Sequence, residues 1–400
     1  MDLKSGTLFW PRQTRQRSGG RALRRNLQCD VVVIGAGLTG AMVAHALGRE
    51  GLDIVILDKR DVAQGSTSAS TALVLYEVDI HLCDLAQQRG WTAAARSYRR
   101  CRTAIDELAE LVSQLRDSCG FRRRPSLYVA GQAGDLNSLK REFAARKRAG
   151  FDVAFLSAAE IRKHFSFSAA GAIYSRPAAE VDPFRLAALL IQEAVRAGAR
   201  LFVHTRAARV TESRRGVTVR TAGGNSVAAR WVVIAAGFET TAREARRVVK
   251  LKSTYAMVTR PVSTFAGWHE RCLIWETKRP YIYLRTTSDD RILVGGGDED
   301  FVNAHDRDAL IGDKGRALHR KLRQMFPDIP AELSSSWAGT FGETKDGLPY
   351  IGPLKARSHV LHALCYGANG TNFAIIASDI IRDTILGKRN DHAELFGFKR

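Results

Sequence analysis

Apolar positions along the chain change period several times, and the changes mark its elements. From Asp30 a fully apolar strand, Val31 to Ile34, enters a glycine turn and then a helical pattern to about Arg49. A second apolar strand, "DIVILD", ends at Asp58. Two buried strands joined by one helix form a βαβ unit, which demands a parallel sheet covered on its faces. Helical periodicity resumes from Ile80 to Arg116 and from Asp135 to Gly150, the latter opening on an aspartate cap and stopping at glycine. "SAAE", Ser157 to Glu160, is a capping box, and Asp182 to Ala199 has an aspartate cap, proline at the first helical position and a glycine stop.

A strand from Arg200 to His204 should follow. "ARVTES", "GVTVRTAGG" and "SVAARWVVIAAG" then alternate with period two between Gly and Asn turns, closing on the apolar strand Trp231 to Ala236. "KSTYAMVTRPV", "CLIWET", "PYIYLRT" and "DRILVGGG" predict a second, antiparallel sheet, and a last helix runs from Asn372 to Leu386. The glycine- and proline-bearing stretch "SWAGTFGETKDGLPYIGP", Ser336 to Pro353, reads as a shaped loop.

Parallel βαβ signals at both ends, with antiparallel strands and long helices between them, predict an α/β plus α+β fold: a Rossmann-like domain with an interleaved antiparallel-sheet substrate domain. The expected divisions are a basic extension over 1–28, the Rossmann-like domain over 29–75, 183–246 and 337–388, the substrate domain over 76–182 and 247–336, and a tail over 389–400. The extension should dock through Phe9 and Trp10.

A chain of 400 residues can bury a sizeable core, so composition matters mainly through charge. The net charge of +20 comes largely from arginine and is concentrated from Arg12 to Arg25, which favours an anionic cofactor, substrate or surface. Basic charge alone is only the first mark of a nucleic-acid binder, so nucleic acid is not expected. The six cysteines show no CxxC spacing and the ten histidines no ligand pair, so reduced thiols and no metal are expected. Arg24 and Arg25 before an apolar run imitate a twin-arginine signal, but Asp30 interrupts it and no small-residue cleavage site follows. A cytoplasmic protein is expected, with a surface suited to the periphery of the inner membrane.

"GAGLTG", which is Gly35, Ala36, Gly37, Leu38, Thr39 and Gly40, lies between strand and helix, and Asp58 ends the next strand. Glycines there let backbone approach a pyrophosphate at a helix N-terminus, and the carboxylate can accept from an adenosine ribose. Lys59 follows, and "GSTSAST", Gly65 to Thr71, adds hydroxyls suited to the phosphates and ribityl chain of FAD. With no second GxGxxG and no cysteine pair, a flavin reduced directly by its substrate is favoured.

"DVVVIGAGLTG", "LDKRDVAQGSTSAS", "WVVIAAG", "TKDGLPYIGP" and "YGANGTNFAIIASDIIRD" together resemble the FAD-dependent amine and amino-acid oxidoreductases, the family of glycine oxidase, sarcosine oxidase and D-amino acid dehydrogenase. The helix-rich segment is similar to the gamma-glutamylputrescine oxidoreductase branch. The resemblance implies Gly35, Gly37 and Gly40 at the pyrophosphate, Asp58 at the ribose, and Ser66, Thr67 and Thr71 towards the isoalloxazine, with Ser70 also at the cofactor. It further implies Val210 at the adenine, Ala236 and Gly237 near the pyrophosphate, and Gly339, Gly367, Asn369, Gly370, Thr371 and Asn372 around the flavin ring. It also implies C–N oxidation by hydride transfer to flavin N5, the imine then being hydrolysed.

Two departures narrow this. Where the family's amino-acid oxidases carry a carboxylate-binding arginine, two residues after the counterpart of Gly339, this chain has Phe341, and a phenyl ring cannot mimic a guanidinium. No cysteine stands near Gly339, so FAD is expected to be non-covalent. The pocket candidates are Tyr76, Tyr255, Trp275, Tyr281, Tyr283 and Phe341, an aromatic set that can hold an amine by packing and cation–π attraction, with Arg285 as a relocated guanidinium and Glu276 or Glu343 as ammonium partners. Three readings stay open: an amine oxidoreductase, an amino-acid oxidase or dehydrogenase with a relocated arginine, and an RNA-associated flavoprotein. The electron acceptor, oxygen or a membrane or protein carrier, is not specified, and neither is the oligomeric state.

Overall fold

The computed structural model describes residues 2–14, 19–239, 247–367 and 369–400. Arg15 and Arg17 of the basic leader, and positions 240–246 at the end of one expected Rossmann-like segment, lie outside the described residues. Two sheets carry the fold. The first has the strand order Tyr350–Pro353, Val360–Leu364, Ser226–Ile234, Leu27–Ile34, Ile54–Leu57, Arg200–Phe202. Its five last-named strands run parallel. The hairpin Ala207–Ser213 and Gly216–Thr221 pairs antiparallel onto Ser226–Ile234. Val31 to Val33, Ile54 and Ile56 are fully buried, as strands covered on both faces should be. Helix Leu38–Gly48 packs between helices Pro183–Arg196 and Gly370–Ile385. The Asp182 carboxylate caps the first of these two neighbours by accepting from the amides of Phe184 (3.0 Å) and Arg185 (2.9 Å).

The second sheet runs Lys4–Gly6, Leu333–Glu343, Lys250–Thr259, Ile292–Glu299, Ile282–Thr286, Leu273–Glu276, Arg122–Val129, Gly171–Glu180, Leu73–Leu75. It is mixed rather than wholly antiparallel, because Leu273–Glu276 pairs parallel with Arg122–Val129. Among the described residues no helix is long and apolar enough to cross a membrane.

Several local expectations change. Ser336 to Glu343 is not loop but part of an eleven-residue strand, Leu333–Glu343, paired along its length with Lys250–Thr259. Its small residues and glycines suggest a turn locally; pairing on both sides supplies the order that propensity does not. Only Thr344 to Pro349 turns, with Gly347 at φ +66°. The helical stretch from Ile80 divides at Gly90 (φ +78°) into Leu82–Arg89 and Trp91–Gln114. Asp135 does not cap its helix; its carboxylate accepts instead from Thr277 and Gln132. Phe9 and Trp10 are both buried, and the segment before them does more than dock, since Lys4–Gly6 joins the second sheet with Lys4 opposite Gly339.

Candidate active site

A cavity of about 1220 Å³ lies where the two sheets meet. Its floor begins with the glycine turn. Gly35 takes φ +113°, and a Cβ there would sit 2.4 Å from the Ala235 carbonyl oxygen; one on Gly40 would lie 1.8 Å from that of Gly35. These two glycines are therefore required by strand–helix–strand packing, whereas Gly37 faces the cavity, where a Cβ would meet only Thr67 Oγ1, at 3.1 Å. Helices Leu38–Gly48 and Gly370–Ile385 both begin at the cavity, so free backbone amides and the positive ends of two helix dipoles converge on it.

Asp58 lines the same wall and accepts from the amides of Ala36 and Arg60, each at 2.7 Å. Burial raises its pKa, against those two amides and the Arg60 guanidinium, which favour the carboxylate. Lys59 and Arg60 pair with Glu239 at 2.6 and 2.8 Å. Gly65, Ser66, Thr67, Ser70 and Thr71 all line the cavity. Thr67 Oγ1 accepts from the Leu38 amide (3.0 Å), and Ser66 Oγ is buried with no partner of its own. Val210, Ala236, Gly237, Gly339, Gly367, Asn369, Gly370 and Thr371 complete the walls. An unpaired buried hydroxyl, two helix N-termini, and a turn with no room for side chains at Gly35 and Gly40 fit a long, phosphate-bearing dinucleotide such as FAD.

At the other end Trp275, Tyr281, Tyr283 and Phe341 form an aromatic wall. The Tyr281 and Tyr283 rings are 5.7 Å apart, and Trp275 stacks on Tyr128 at 3.7 Å. Thr71 and Thr254 line the same wall as Tyr283. A Cβ on Gly295 would collide with the Tyr283 ring at 2.3 Å, so that glycine makes room for it.

Other sequence candidates lie elsewhere. Tyr76 is wholly buried, stacked on Phe151 at 4.5 Å with its hydroxyl 3.3 Å from Ser175. Tyr255 belongs to the core on the opposite face of the second sheet. Period-two alternation puts its neighbour Thr254 on the cavity side; choosing by aromatic character picked the wrong face. Arg285 is 2% exposed and donates through Nε and Nη1 to the carbonyls of Thr71 (3.2 Å), Ala72 (2.7 Å), Val181 (2.9 Å) and Thr286 (2.9 Å). It is not among the residues that line the cavity. Glu276 faces a separate cavity of about 300 Å³, and Glu343 pairs with Lys252 at 2.8 Å. Ala36, Gly40 and Asn372 stand behind the lining; the Asn372 amide donates to the carbonyls of Leu75 (2.7 Å) and Cys101 (3.1 Å), clamping strand Leu73–Leu75.

Sequence reasoning missed Leu3, Asp79, Thr254 and Arg279, all in the cavity wall. Arg279 is exposed, lies 4.3 Å over the Tyr281 ring, and donates one long bond, 3.4 Å, to the Asp79 carbonyl. Alternation could have found Thr254, but nothing local marks Leu3 or Arg279. Cys365 also reaches the cavity as a thiol that burial pushes up to about 12. Away from the cavity, His81, Cys83 and Asp84 bring ligand atoms within 4.8 Å of one another, but burial likewise pushes the Cys83 thiol up to about 12, which disfavours the thiolate a metal would need.

Residues 30–384 match the family described as "DAO: FAD dependent oxidoreductase". Glycine oxidase of Geobacillus kaustophilus is 27% identical over 371 residues, covering 89% of this chain and 92% of that protein. Gamma-glutamylputrescine oxidoreductase of Escherichia coli is 24% identical over 383 residues, covering 91% and 85%. The crystal structure of the Geobacillus glycine oxidase superposes with a TM-score of 0.75 at 22% identity, covering 94% of this chain and all of that one, which establishes the shared fold.

Proposed function

Because the chain belongs to the FAD-dependent oxidoreductase family, we propose that it oxidises the carbon–nitrogen bond of an amine held against the aromatic wall. Gly35, Gly37, Ala236 and Gly237 would hold the pyrophosphate region of a non-covalent FAD, Asp58 the ribose, Val210 the adenine side, and Gly339, Gly367, Gly370 and Thr371 the flavin ring, with Gly40 shaping the turn from behind. FAD supplies the two-electron acceptor. The amine carbon would give up a hydride to that acceptor and the nitrogen a proton to solvent, leaving a C=N bond that water hydrolyses to a carbonyl and a released amine or ammonia. This chain's residues bind the neutral amine against Tyr283 and exclude water with Trp275, Tyr281 and Phe341.

The observation that carries the reading is the aromatic end of the cavity, with Phe341 where relatives acting on amino acids are expected to place arginine. Arg279 favours a second reading, in which the amine also bears a carboxylate. Among the described arginines that line the cavity, Arg60 is paired with Glu239 and Arg206 and Arg209 belong to the segment beside Val210, which leaves Arg279 as the described guanidinium at the aromatic end. A panel of alkyl and aryl amines, with and without a distal carboxylate, mixed anaerobically with the holoprotein separates the two. Preference for carboxylate-bearing members that vanishes in Arg279→Ala supports the second. Equal reduction by neutral amines supports the first, and no reduction by any member removes both.

A further inference from the structure

The loop from Gly65 to Ala72 lines the cavity with hydroxyls and amides, and its outward side is held by donors from elsewhere in the chain. Trp337 Nε1 donates to the Ala69 carbonyl (2.9 Å), Trp10 Nε1 to that of Ser70 (2.6 Å), and Arg285 to those of Thr71 and Ala72. In a trans peptide the N–H points opposite to the C=O, so drawing the Ser70 carbonyl outward turns the Thr71 amide inward. The ammonium of Lys4 donates to Ser68 Oγ (2.7 Å) and Gln64 Oε1 (3.4 Å) at the other end of the same loop.

Two of these donors, Lys4 and Trp10, precede residue 30, where the family match begins. The segment that carries them is built in. Lys4–Gly6 pairs with Trp337 to Gly339, the Thr340 amide donates to the Leu3 carbonyl (2.8 Å), and the Thr7 amide donates to that of Ser336 (3.1 Å). The fully buried Arg307 reaches the Asp2 carbonyl and Ser5 Oγ, both at 3.0 Å. Leu3 itself lines the cavity, and the Arg285 guanidinium lies 5.6 Å from the Trp10 ring centre.

We propose that residues 2–13 are a working part of the cofactor site: an added strand and turn that set the Gly65–Ala72 loop, through Lys4 and Trp10, in the shape that receives FAD. The inference rests on placing FAD in this cavity. Lys4 and Trp10 are positioning residues, since they act through the loop rather than on the cofactor itself. By reciprocity, a segment that favours FAD binding must be held more firmly once FAD is bound.

The test uses full-length apoprotein carrying Lys4→Met and Trp10→Phe, changes that remove the donors while keeping a long chain at one position and an aromatic ring at the other. FAD affinity is read by quenching of flavin fluorescence, and the apoprotein's melting temperature is read alongside. Loss of these three hydrogen bonds, one of them long, should weaken FAD binding about tenfold with the apoprotein's melting temperature little changed. In the wild type, FAD should slow hydrogen exchange at the amides of Ser5 and Thr7, which face the partner strand. Unchanged affinity overturns the proposal, and so does an affinity that falls only in step with apoprotein stability. In the second case the segment merely supports the fold. If wild-type apoprotein takes up no FAD at all, the cavity assignment fails instead. Should the double variant not fold, Trp10→Phe alone is measured against the same criteria, with about threefold expected.

Discussion

Replacing Arg285 with leucine separates a structural arginine from a substrate-binding one. The guanidinium donates to four carbonyls on three segments, and its charge lies 3.8 Å from Glu180, which is wholly buried. Arg285→Leu leaves those carbonyls short of donors and leaves the Glu180 carboxylate with Arg124 at 3.2 Å and the Thr286 hydroxyl at 3.4 Å. Breaking a buried charge pair in this way costs roughly 3–5 kcal/mol. An unfolding entropy of about 2.1 cal/mol/K per residue over 400 residues turns that into a melting temperature lower by roughly 4–6 °C. Arg285→Lys keeps the charge but reaches fewer acceptors, so it should recover only part of the loss. The assay is thermal unfolding of apoprotein, followed by Michaelis constants for a carboxylate-bearing amine on holoprotein. A variant that melts like the wild type while its Michaelis constant for that amine rises tenfold or more would place Arg285 at the substrate and refute the structural role.

Phe341→Arg should create oxidation of glycine or D-alanine, with kcat/KM for these rising at least about tenfold because a guanidinium can take a carboxylate bidentately; unchanged specificity would show that position 341 does not face the substrate. Gly40→Ala, whose methyl would meet the Gly35 carbonyl at 1.8 Å, should lower apoprotein stability sharply, while Gly37→Ala should cost the apoprotein no more than about 1 kcal/mol and weaken FAD binding selectively, as paired melting and titration curves will show. Burial lifts the Asp298 carboxyl to about 6, above its ordinary 3.8, so ionising it in the folded protein costs stability as pH rises through that interval. Asp298→Asn should therefore be more stable than wild type above about pH 6, by roughly 1–3 kcal/mol, with the gain shrinking towards pH 4; a gain independent of pH in denaturant titrations would rule this out.

Much of the cofactor end was legible in the sequence because its constraints are local. A GxGxxG between strand and helix, an aspartate closing the next strand and a hydroxyl run each carry their own spacing, and Gly35, Gly37, Asp58, Ser66 and Thr67 all reach the cavity. The substrate end was legible only in part, because its wall is assembled across strands. Tyr281 and Tyr283 share a face two residues apart, and Trp275 stands opposite Tyr283, so these three reach the cavity together. Tyr255 fell on the far face of its strand, and Arg285, on the same strand as Tyr283, was spent on backbone carbonyls that no local pattern announces. The strand Leu333–Glu343 was hidden for a related reason: its small residues depend on neighbours on both sides, one of them the distant Lys4–Gly6.

Oxidation of a carbon–nitrogen bond at the aromatic end of this cavity is the central claim, and anaerobic single-turnover reduction of the holoprotein tests it most directly. An amine of the matching class should bleach the visible flavin absorbance and yield one carbonyl product per flavin, and deuterium at the amine carbon should slow the bleaching. A holoprotein that stays yellow with every amine and amino acid offered, or bleaches without a carbonyl product, would contradict it.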